Sequence, residues 1–163
     1  MTLEVRRATP DDLSGVLGVF LGCWRESYQG ILPEHSITEM TDERAEALWC
    51  RVLADPVGVV LVAVREGEIV GITRYALGDD GEGAVHSLYV SPRAHGGGIG
   101  RQLLTAAVDA MAAAGSTYAR LWVFASNAPS IGFYEKQGWV ADGTTRTQDE
   151  FGALEQRMRR ELT

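Results

Sequence analysis

A run of glycines between a predicted strand and a predicted helix is the feature that most constrains this chain. The strand ends at Leu88-Tyr89-Val90, Pro92 follows, and Gly96-Gly97-Gly98-Ile99-Gly100 leads into an amphipathic helix. Glycine allows positive φ and a close approach of the backbone to a ligand. The unpaired N–H groups and the dipole at the start of a helix favour phosphate. We therefore expect a phosphate-binding loop, and the alternative is a flexible loop whose glycines only permit a tight turn into the helix.

Two common phosphate-binding motifs do not fit this segment. Walker A requires a Gly-Lys pair, which the sequence does not contain. The dinucleotide-binding fingerprint has a third glycine where Arg101 stands, and it follows the first strand of a parallel unit, whereas hairpins precede the glycines here. Arg93 and Arg101 flank the loop and supply positive charge. A phosphate site outside these two classes is the expectation that remains.

Hydrophobic periodicity predicts strands and helices in the order β-α-α-β-β-β-α-β-α-β-β. The expected strands cover residues 3–8, 57–64, 69–77, 84–90, 118–124, 139–141 and 154–162, and the expected helices cover 13–28, 41–53, 99–114 and 129–137. Short turns join the strands between residues 57 and 90, so these strands should be antiparallel. The chain contains no repeat and no linker, which predicts one α/β (α+β) domain over residues 1–163 with a mixed sheet.

Composition excludes several functional classes. The chain has 15 Lys and Arg against 22 Asp and Glu, a net charge of −7, without the basic footprint of a nucleic-acid-binding protein. Hydrophobic residues make up 45%, too many for a disordered chain. No run approaches the ~18 apolar residues of a membrane span and the N-terminus is unlike a signal peptide, so we expect a cytoplasmic protein. Cys23 and Cys50 lie in apolar surroundings without metal-ligand spacing, which predicts reduced core thiols and no metal site.

Two segments together resemble the GNAT superfamily of acetyl-CoA-dependent N-acetyltransferases. His95-Gly96-Gly97-Gly98-Ile99-Gly100 matches the family pattern Gln/Arg-x-x-Gly-x-Gly/Ala in all but its first residue. The segment from Ser126 to Trp139 is similar to the family's second motif, with Asn127 and Tyr134 at its characteristic positions. The segment Trp24–Pro33 is similar to the acceptor-side helix and loop of many uncharacterised bacterial members. The resemblance implies a GNAT fold, a mostly antiparallel sheet of about seven strands flanked by about four helices.

The resemblance also implies roles for individual residues. The backbone of the strand end would pair with the pantetheine arm of acetyl-CoA, the glycine loop would hold the pyrophosphate, Asn127 would hydrogen-bond the pantetheine or the outer part of CoA, and Tyr134 would protonate the departing thiolate. His95 replaces the usual Arg or Gln, so only the backbone part of that role carries over. The residues implied to bind acetyl-CoA are Leu88, Tyr89, Val90, His95, Gly96, Gly97, Gly98, Ile99, Gly100, Arg101, Asn127 and Tyr134.

The general base is not supplied by the resemblance. Trp122 stands where some relatives carry a glutamate base. His86 is the first candidate, because an ordinary histidine titrates near neutral pH; a structural histidine, in solvent or in the core, is the alternative. Glu82 acting through water is a weaker candidate. A peptide α-amine, roughly 10% neutral at pH 7, needs little help beyond water.

The acceptor site is expected at the end of the first helix. Tyr28 is predicted to bind the acceptor, and Glu26 to hold its ammonium group, although a solvated helix face explains Glu26 equally well. Helical spacing places Trp24 and Trp49 in the core. The last two strands help to shape the pocket, but no decisive residue is recognised in them.

The sequence therefore predicts transfer of an acetyl group from acetyl-CoA to a primary amine of a small molecule or a peptide. A non-catalytic acyl-CoA-binding sensor or structural module is the alternative. Neither nucleic acid nor a membrane is expected as a partner, and the acidic background suits a cationic amine. Apolar strands lie near the C-terminus, and the resemblance implies a homodimer because such strands often build homodimers in the family.

Overall fold

The computed structural model describes residues 2–78, 80–94, 97–148 and 153–162. Its strands are β1 (Leu3–Arg7), β2 (Gly58–Arg65), β3 (Glu68–Leu77), β4 (Glu82–Val90), β5 (Tyr118–Phe124), β6 (Val140–Gln148) and β7 (Ala153–Glu161). They form one sheet in the order β1-β2-β3-β4-β5-β7-β6. All neighbouring strands are antiparallel except β4 and β5, which are parallel. The predicted mixed, mostly antiparallel sheet is confirmed.

The helices are α1 (Leu13–Gly22), α2 (Glu34–Glu39), α3 (Asp42–Ala54), α4 (Ile99–Ala113) and α5 (Ala128–Lys136). A π-helical turn at Cys23–Ser27 extends α1, so the single helix predicted to residue 28 is there in two parts. The short α2 was not predicted. Pro33 is the N-cap of α2, where its missing N–H removes no hydrogen bond from the helix.

The strand predicted at residues 139–141 is much longer than expected. β6 continues to residue 148 and pairs with β7 on both sides of an irregularity between Ala141 and Thr145. The sequence of β6 is polar and lacks an apolar alternation, which is why periodicity did not reveal it. The final hairpin is therefore long enough for a side chain of β6 to contact β5, as Arg146 does where it lies over Trp122.

Helices cover both faces of the sheet. On one face, α1 and α3 pack on β2 and β3 through buried residues such as Phe20, Trp49 and Val62, and Trp24 is also buried, as predicted. On the other face, the predicted apolar side of α4 is buried against β3 and β4. No helix in the described part of the chain is long and apolar enough to cross a membrane.

Gly71 in β3 allows α4 to approach the sheet closely. A Cβ atom at this position would lie 2.7 Å from Leu103 Cδ1 and 2.9 Å from Ile99 Cγ2. Both side chains are buried in the first turns of α4, and Gly71 pairs with Val90 at the end of β4. The missing side chain therefore fixes how closely the N-terminus of α4 sits against the end of β4.

Replacing Gly71 by Ala should lower the free energy of unfolding by about 1–3 kcal/mol, because the added methyl group overpacks the buried contact with α4. Urea denaturation measures this change. The control is Gly18→Ala inside α1, where a new Cβ meets no atom within 4 Å and alanine favours the helix. Wild-type stability of the Gly71→Ala variant would show that α4 is not held at this distance.

Candidate active site

The two central strands separate part-way along the sheet. β4 pairs with β5 only as far as Val85 opposite Leu121. Beyond this point β4 runs to Val90 and β5 to Phe124, with no register between them in the described strands. A bulge in β4 leaves His86 without a partner in the register with β3. A cleft lined by backbone groups therefore opens between the carboxyl ends of β4 and β5.

The edge of β4 that faces the cleft carries unpaired backbone donors. The N–H of Ser91 donates to Val70 O at 2.9 Å, toward β3. Successive N–H groups of a strand point to opposite edges, so those of Leu88 and Val90 point away from β3. The Sγ of Cys23 donates to Val90 O at 3.0 Å. The cleft thus presents two N–H donors to a ligand lying alongside β4.

The helix after β4 begins on two glycines in the left-handed region. Gly97 has φ +79° and Gly98 has φ +64°, a conformation that other residues adopt only at a cost. The Nε2 of Gln102 donates to Gly97 O at 2.8 Å and ties the loop to the first turn of α4. The guanidinium groups of Arg65 and Arg101 lie beside the two glycines. The free N–H groups at the start of α4 therefore lie in positively charged surroundings, which suit an anionic group.

Most of the predicted phosphate loop lies in this first turn. Gly97 and Gly98 are exposed, Ile99 is buried and anchors the turn, and Gly100 lies against Phe133 of α5. Arg101 is exposed beside them. The predicted residues His95 and Gly96 lie outside the described part of the chain.

A cavity of about 550 Å³ lies in the cleft. Its walls come from α1 with its π turn, α3, the separated parts of β4 and β5, α5 and the last two strands. The sequence-predicted site residues in its walls are Tyr28, His86, Leu88, Tyr89, Asn127 and Tyr134. These residues are up to 106 positions apart in the sequence, so it is the tertiary fold that brings them together.

Three tyrosines of the cavity wall keep their protons at neutral pH. Burial raises the pKa of Tyr28 well above its ordinary value, raises that of Tyr89 to about 12, and raises that of Tyr134 strongly. The hydroxyls of Tyr28 and Tyr89 are hydrogen-bonded to each other. The Tyr134 hydroxyl has no hydrogen-bond partner among the described residues, although its ring packs near Trp139. The Tyr134 hydroxyl is therefore a proton donor on the cavity wall that donates to none of the described residues.

Asn127 joins the cavity wall to α5. Its Oδ1 accepts a hydrogen bond from Ser130 N at 3.3 Å and caps the helix, and the residue is 7% exposed. This bond fixes the side chain and directs the start of α5. Tyr134 follows about two turns later on the same helix. The second predicted motif is therefore one rigid unit that presents an amide and a phenol to the cavity.

The candidate bases and the predicted ammonium ligand lie in different places. His86 lies in the cavity wall as a partly solvent-exposed residue, and partial loss of solvent together with the charges of Arg74 and Arg146 lowers its pKa from the ordinary value. Glu82 is at the start of β4, accepts a hydrogen bond from Arg120 Nη1 at 3.2 Å, and does not line the cavity. Glu26 is exposed and does not line it either. Of the two candidate bases only His86 lines the cavity, and Glu26 is not part of the cavity wall to which Tyr28 belongs.

Sequence reasoning missed two charged residues of the last strands. Arg146 of β6 and Glu155 of β7 both line the cavity, and Arg146 Nε donates to Glu155 Oε1 at 2.9 Å. Glu155 is only 7% exposed. The sequence did not reveal these two residues, because the alternation of a strand separates its two faces but does not show what packs against each face.

Only one of the two cysteines fits the predicted core thiol. Cys23 is buried, and burial raises the pKa of its thiol to about 11. Cys50 is exposed, because it lies on the outer side of α3. No group of three or more metal-ligating side chains occurs in the part of the chain that the structure describes.

Comparison with known proteins agrees with this geometry. The profile of the acetyltransferase (GNAT) family matches residues 22–139. An uncharacterized N-acetyltransferase of Archaeoglobus fulgidus is 30% identical over 141 residues, which cover 83% of this chain and 91% of that protein.

Solved structures share the fold. The PaiA N-acetyltransferase of Thermoplasma acidophilum, crystallised in complex with coenzyme A, superimposes with a TM-score of 0.81 at 22% identity over 99% of both chains. The ribosomal-protein-alanine N-acetyltransferase of Brucella melitensis has a TM-score of 0.75 at 26% identity, covering 98% of this chain and 99% of that one. The chain therefore belongs to the acetyltransferase (GNAT) family and is an acetyl-CoA-dependent N-acetyltransferase.

Proposed function

We propose that this enzyme moves the acetyl group of acetyl-CoA directly to a primary amine of a small molecule or a peptide, inside the cavity between β4 and β5. The observation that carries the proposal is that an unpaired strand edge, a buried tyrosine and a histidine meet in one cleft, and that the glycine-initiated helix begins beside Val90 at the end of the same strand. The edge and the helix start suit the cofactor, and the two side chains suit proton transfer. The Brucella melitensis relative is named for acetylating an alanine of a ribosomal protein.

The residues around the cleft fit acetyl-CoA. The Leu88 and Val90 N–H groups would pair with the pantetheine arm as strand partners, with Asn127 as a further polar contact. The backbone from Gly97 to Arg101 would hold the pyrophosphate, because N–H groups at a helix start complement its negative charge. A side chain at Gly97 would intrude on the exposed surface where this contact is made. Acetyl-CoA supplies an activated thioester, and the chain positions the amine beside it.

Replacing Gly97 by Ala should weaken acetyl-CoA binding about tenfold, because the left-handed backbone becomes strained and the N–H groups lose their arrangement. Gly67→Ala is a matched control: Gly67 also has φ +79°, but it lies in the hairpin between β2 and β3. Both variants should lose similar stability, and calorimetry should show weaker binding only for Gly97→Ala. Equal dissociation constants for the two variants would remove Gly97 from the pyrophosphate site.

Tyr134 is the proposed proton donor to the leaving group. As the amine attacks, negative charge develops first on the thioester oxygen and then on sulfur. The Val90 N–H is suited to the oxygen, and the Tyr134 hydroxyl is suited to the sulfur. Burial keeps the pKa of Tyr134 raised, so the hydroxyl enters the reaction protonated. It gives its proton to the thiolate and regains one from solvent, while the attacking nitrogen loses one.

Replacing Tyr134 by Phe should lower kcat about 10²-fold and leave acetyl-CoA affinity nearly unchanged, because only the acid is removed. Thiol release measures kcat and calorimetry measures affinity. Tyr75→Phe is the control, since Tyr75 is a buried tyrosine that does not line the cavity. An unchanged kcat, with chemistry rate-limiting, would remove Tyr134 from the mechanism.

Binding of acetyl-CoA by the wild type without turnover of any amine would favour the non-catalytic module instead.

His86 is the proposed base that takes the proton from the amine. A base must be neutral to act, and the lowered pKa of His86 keeps the ring neutral at pH 7. The positive charges of Arg74 and Arg146 that lower this pKa also repel a protonated ring. His86 therefore returns its proton to solvent readily after each turnover.

The activity of the wild type, normalised to the concentration of neutral amine, should fall as pH is lowered through the depressed pKa of His86. His86→Gln should have lower activity and lose this acid limb. His35→Gln, at an exposed histidine outside the cavity, should behave as the wild type. The same acid limb in His86→Gln would assign the base to another group or to water.

Oligomeric state and location stay predictions. The exposed apolar side chains of Val140 and Leu154, 67% and 51% accessible, lie on the last two strands, where the homodimer is expected. We propose a dimer through this hairpin in a cytoplasmic, bacterial setting.

A further inference from the structure

The charge of the cavity is opposite to that of the chain. Its ionisable lining consists of Arg44, Arg51, Arg146, His86 and Glu155, apart from the tyrosines. Three guanidinium groups face one carboxylate, although the whole chain carries a net charge of −7. A purely cationic acceptor would be repelled here. The local sign points to an acceptor that carries a negative group in addition to its amine.

Arg146 is held in place from two sides. Its guanidinium lies over the indole of Trp122, 4.1 Å from the ring centroid. Its Nε donates to Glu155 Oε1 at 2.9 Å, and Glu155 is the register partner of Arg146 in the β6–β7 hairpin. A stacked guanidinium with a charged partner on Nε has little freedom to rotate. The side chain is therefore preorganised before any ligand arrives.

The remaining donors of Arg146 are available to a ligand. Its two terminal nitrogens make no hydrogen bond to any residue that the structure describes, and the side chain is 45% exposed within the cavity wall. Arg157 shows the contrast. It also lies near Trp122, at 5.8 Å, but its Nε and Nη2 are bound to Asp142 and Thr144, and it does not line the cavity. Of these two arginines, Arg146 is the one whose planar pair of donors is presented to the cavity.

Arg146 lies close to the proposed base. Its guanidinium lies over Trp122, and Trp122 follows Leu121, which pairs with Val85 next to His86. An acceptor with its amine at His86 and an anionic group at Arg146 carries both groups within one cavity of about 550 Å³, which suits a small molecule. Bidentate pairing with a planar guanidinium is the preferred recognition of a carboxylate.

We propose that the acceptor is an amino acid or a similarly small amino-carboxylate, whose carboxylate is bound by Arg146. Trp122 and Glu155 are positioning residues that hold the guanidinium, so the tryptophan that stands in place of a base serves as the platform for substrate recognition. This inference rests on the proposed acetyl transfer and narrows its substrate class. It disfavours a peptide N-terminus, whose neighbouring carbonyl is an uncharged amide.

The test uses matched acceptors that differ only at the carboxylate: L-phenylalanine, L-phenylalaninamide and phenethylamine, with the corresponding leucine series. Thiol release from acetyl-CoA gives kcat and KM for the wild type, Arg146→Gln, Arg146→Lys and the control Arg157→Gln. The wild type should prefer the amino acid to its amide at least about tenfold in kcat/KM, the value of one good charged contact. Arg146→Gln should abolish this preference mainly through KM, Arg146→Lys should restore part of it, and Arg157→Gln should keep it.

Two results would overturn the inference: a wild type that prefers the amides or the simple amines, or an Arg146→Gln variant that keeps the wild-type preference. If the acetyl transfer itself fails, calorimetry of amino-acid binding to the CoA-bound protein still tests the carboxylate site separately. If no acceptor is turned over, binding of L-phenylalanine and L-leucine to the wild type but not to Arg146→Gln still supports the carboxylate site. Equal binding by both proteins, or by neither, refutes it.

Discussion

The early end of the β4–β5 pairing is the constraint on which the rest of the site depends. Backbone N–H and C=O groups inside a sheet need hydrogen-bond partners. β4 and β5 pair over only four residues each, so their carboxyl-terminal ends do not hydrogen-bond to each other. The bulge at His86 and the continued pairing of β5 with β7 hold the strands apart. The cap of α5 and the end of α1 line the resulting gap, and the start of α4 lies beside Val90 at the end of β4. A strand-like ligand with a phosphate at one end complements this arrangement.

Local charge, rather than total charge, decides what the cavity accepts. The sequence suggested that an acidic protein should favour a cationic amine. The fold instead places three arginines in the cavity wall and pairs several acidic side chains elsewhere, such as Asp12 with Arg6 and Asp142 with Arg157. Electrostatic interactions between exposed charges are screened within about 8–10 Å in physiological salt, so distant surface carboxylates contribute little inside the cavity.

The parts of the site that are encoded locally were predictable, and those assembled by long-range pairing were not. The glycines before α4 and the Asn127–Tyr134 unit of α5 are continuous segments, so their backbone requirements are visible in sequence. Arg146 reaches Trp122 only because β7 lies between β5 and β6. No spacing along the chain reveals that order.

The central claim, that acetyl-CoA lies along the free edge of β4, is tested most directly by residue-resolved amide hydrogen exchange with and without CoA. CoA should slow exchange of the Leu88 and Val90 amides and of those from Gly97 to Arg101, while Leu3–Arg7 at the far edge of the sheet stays unchanged. Unchanged exchange at Leu88 and Val90 with CoA bound would contradict the account.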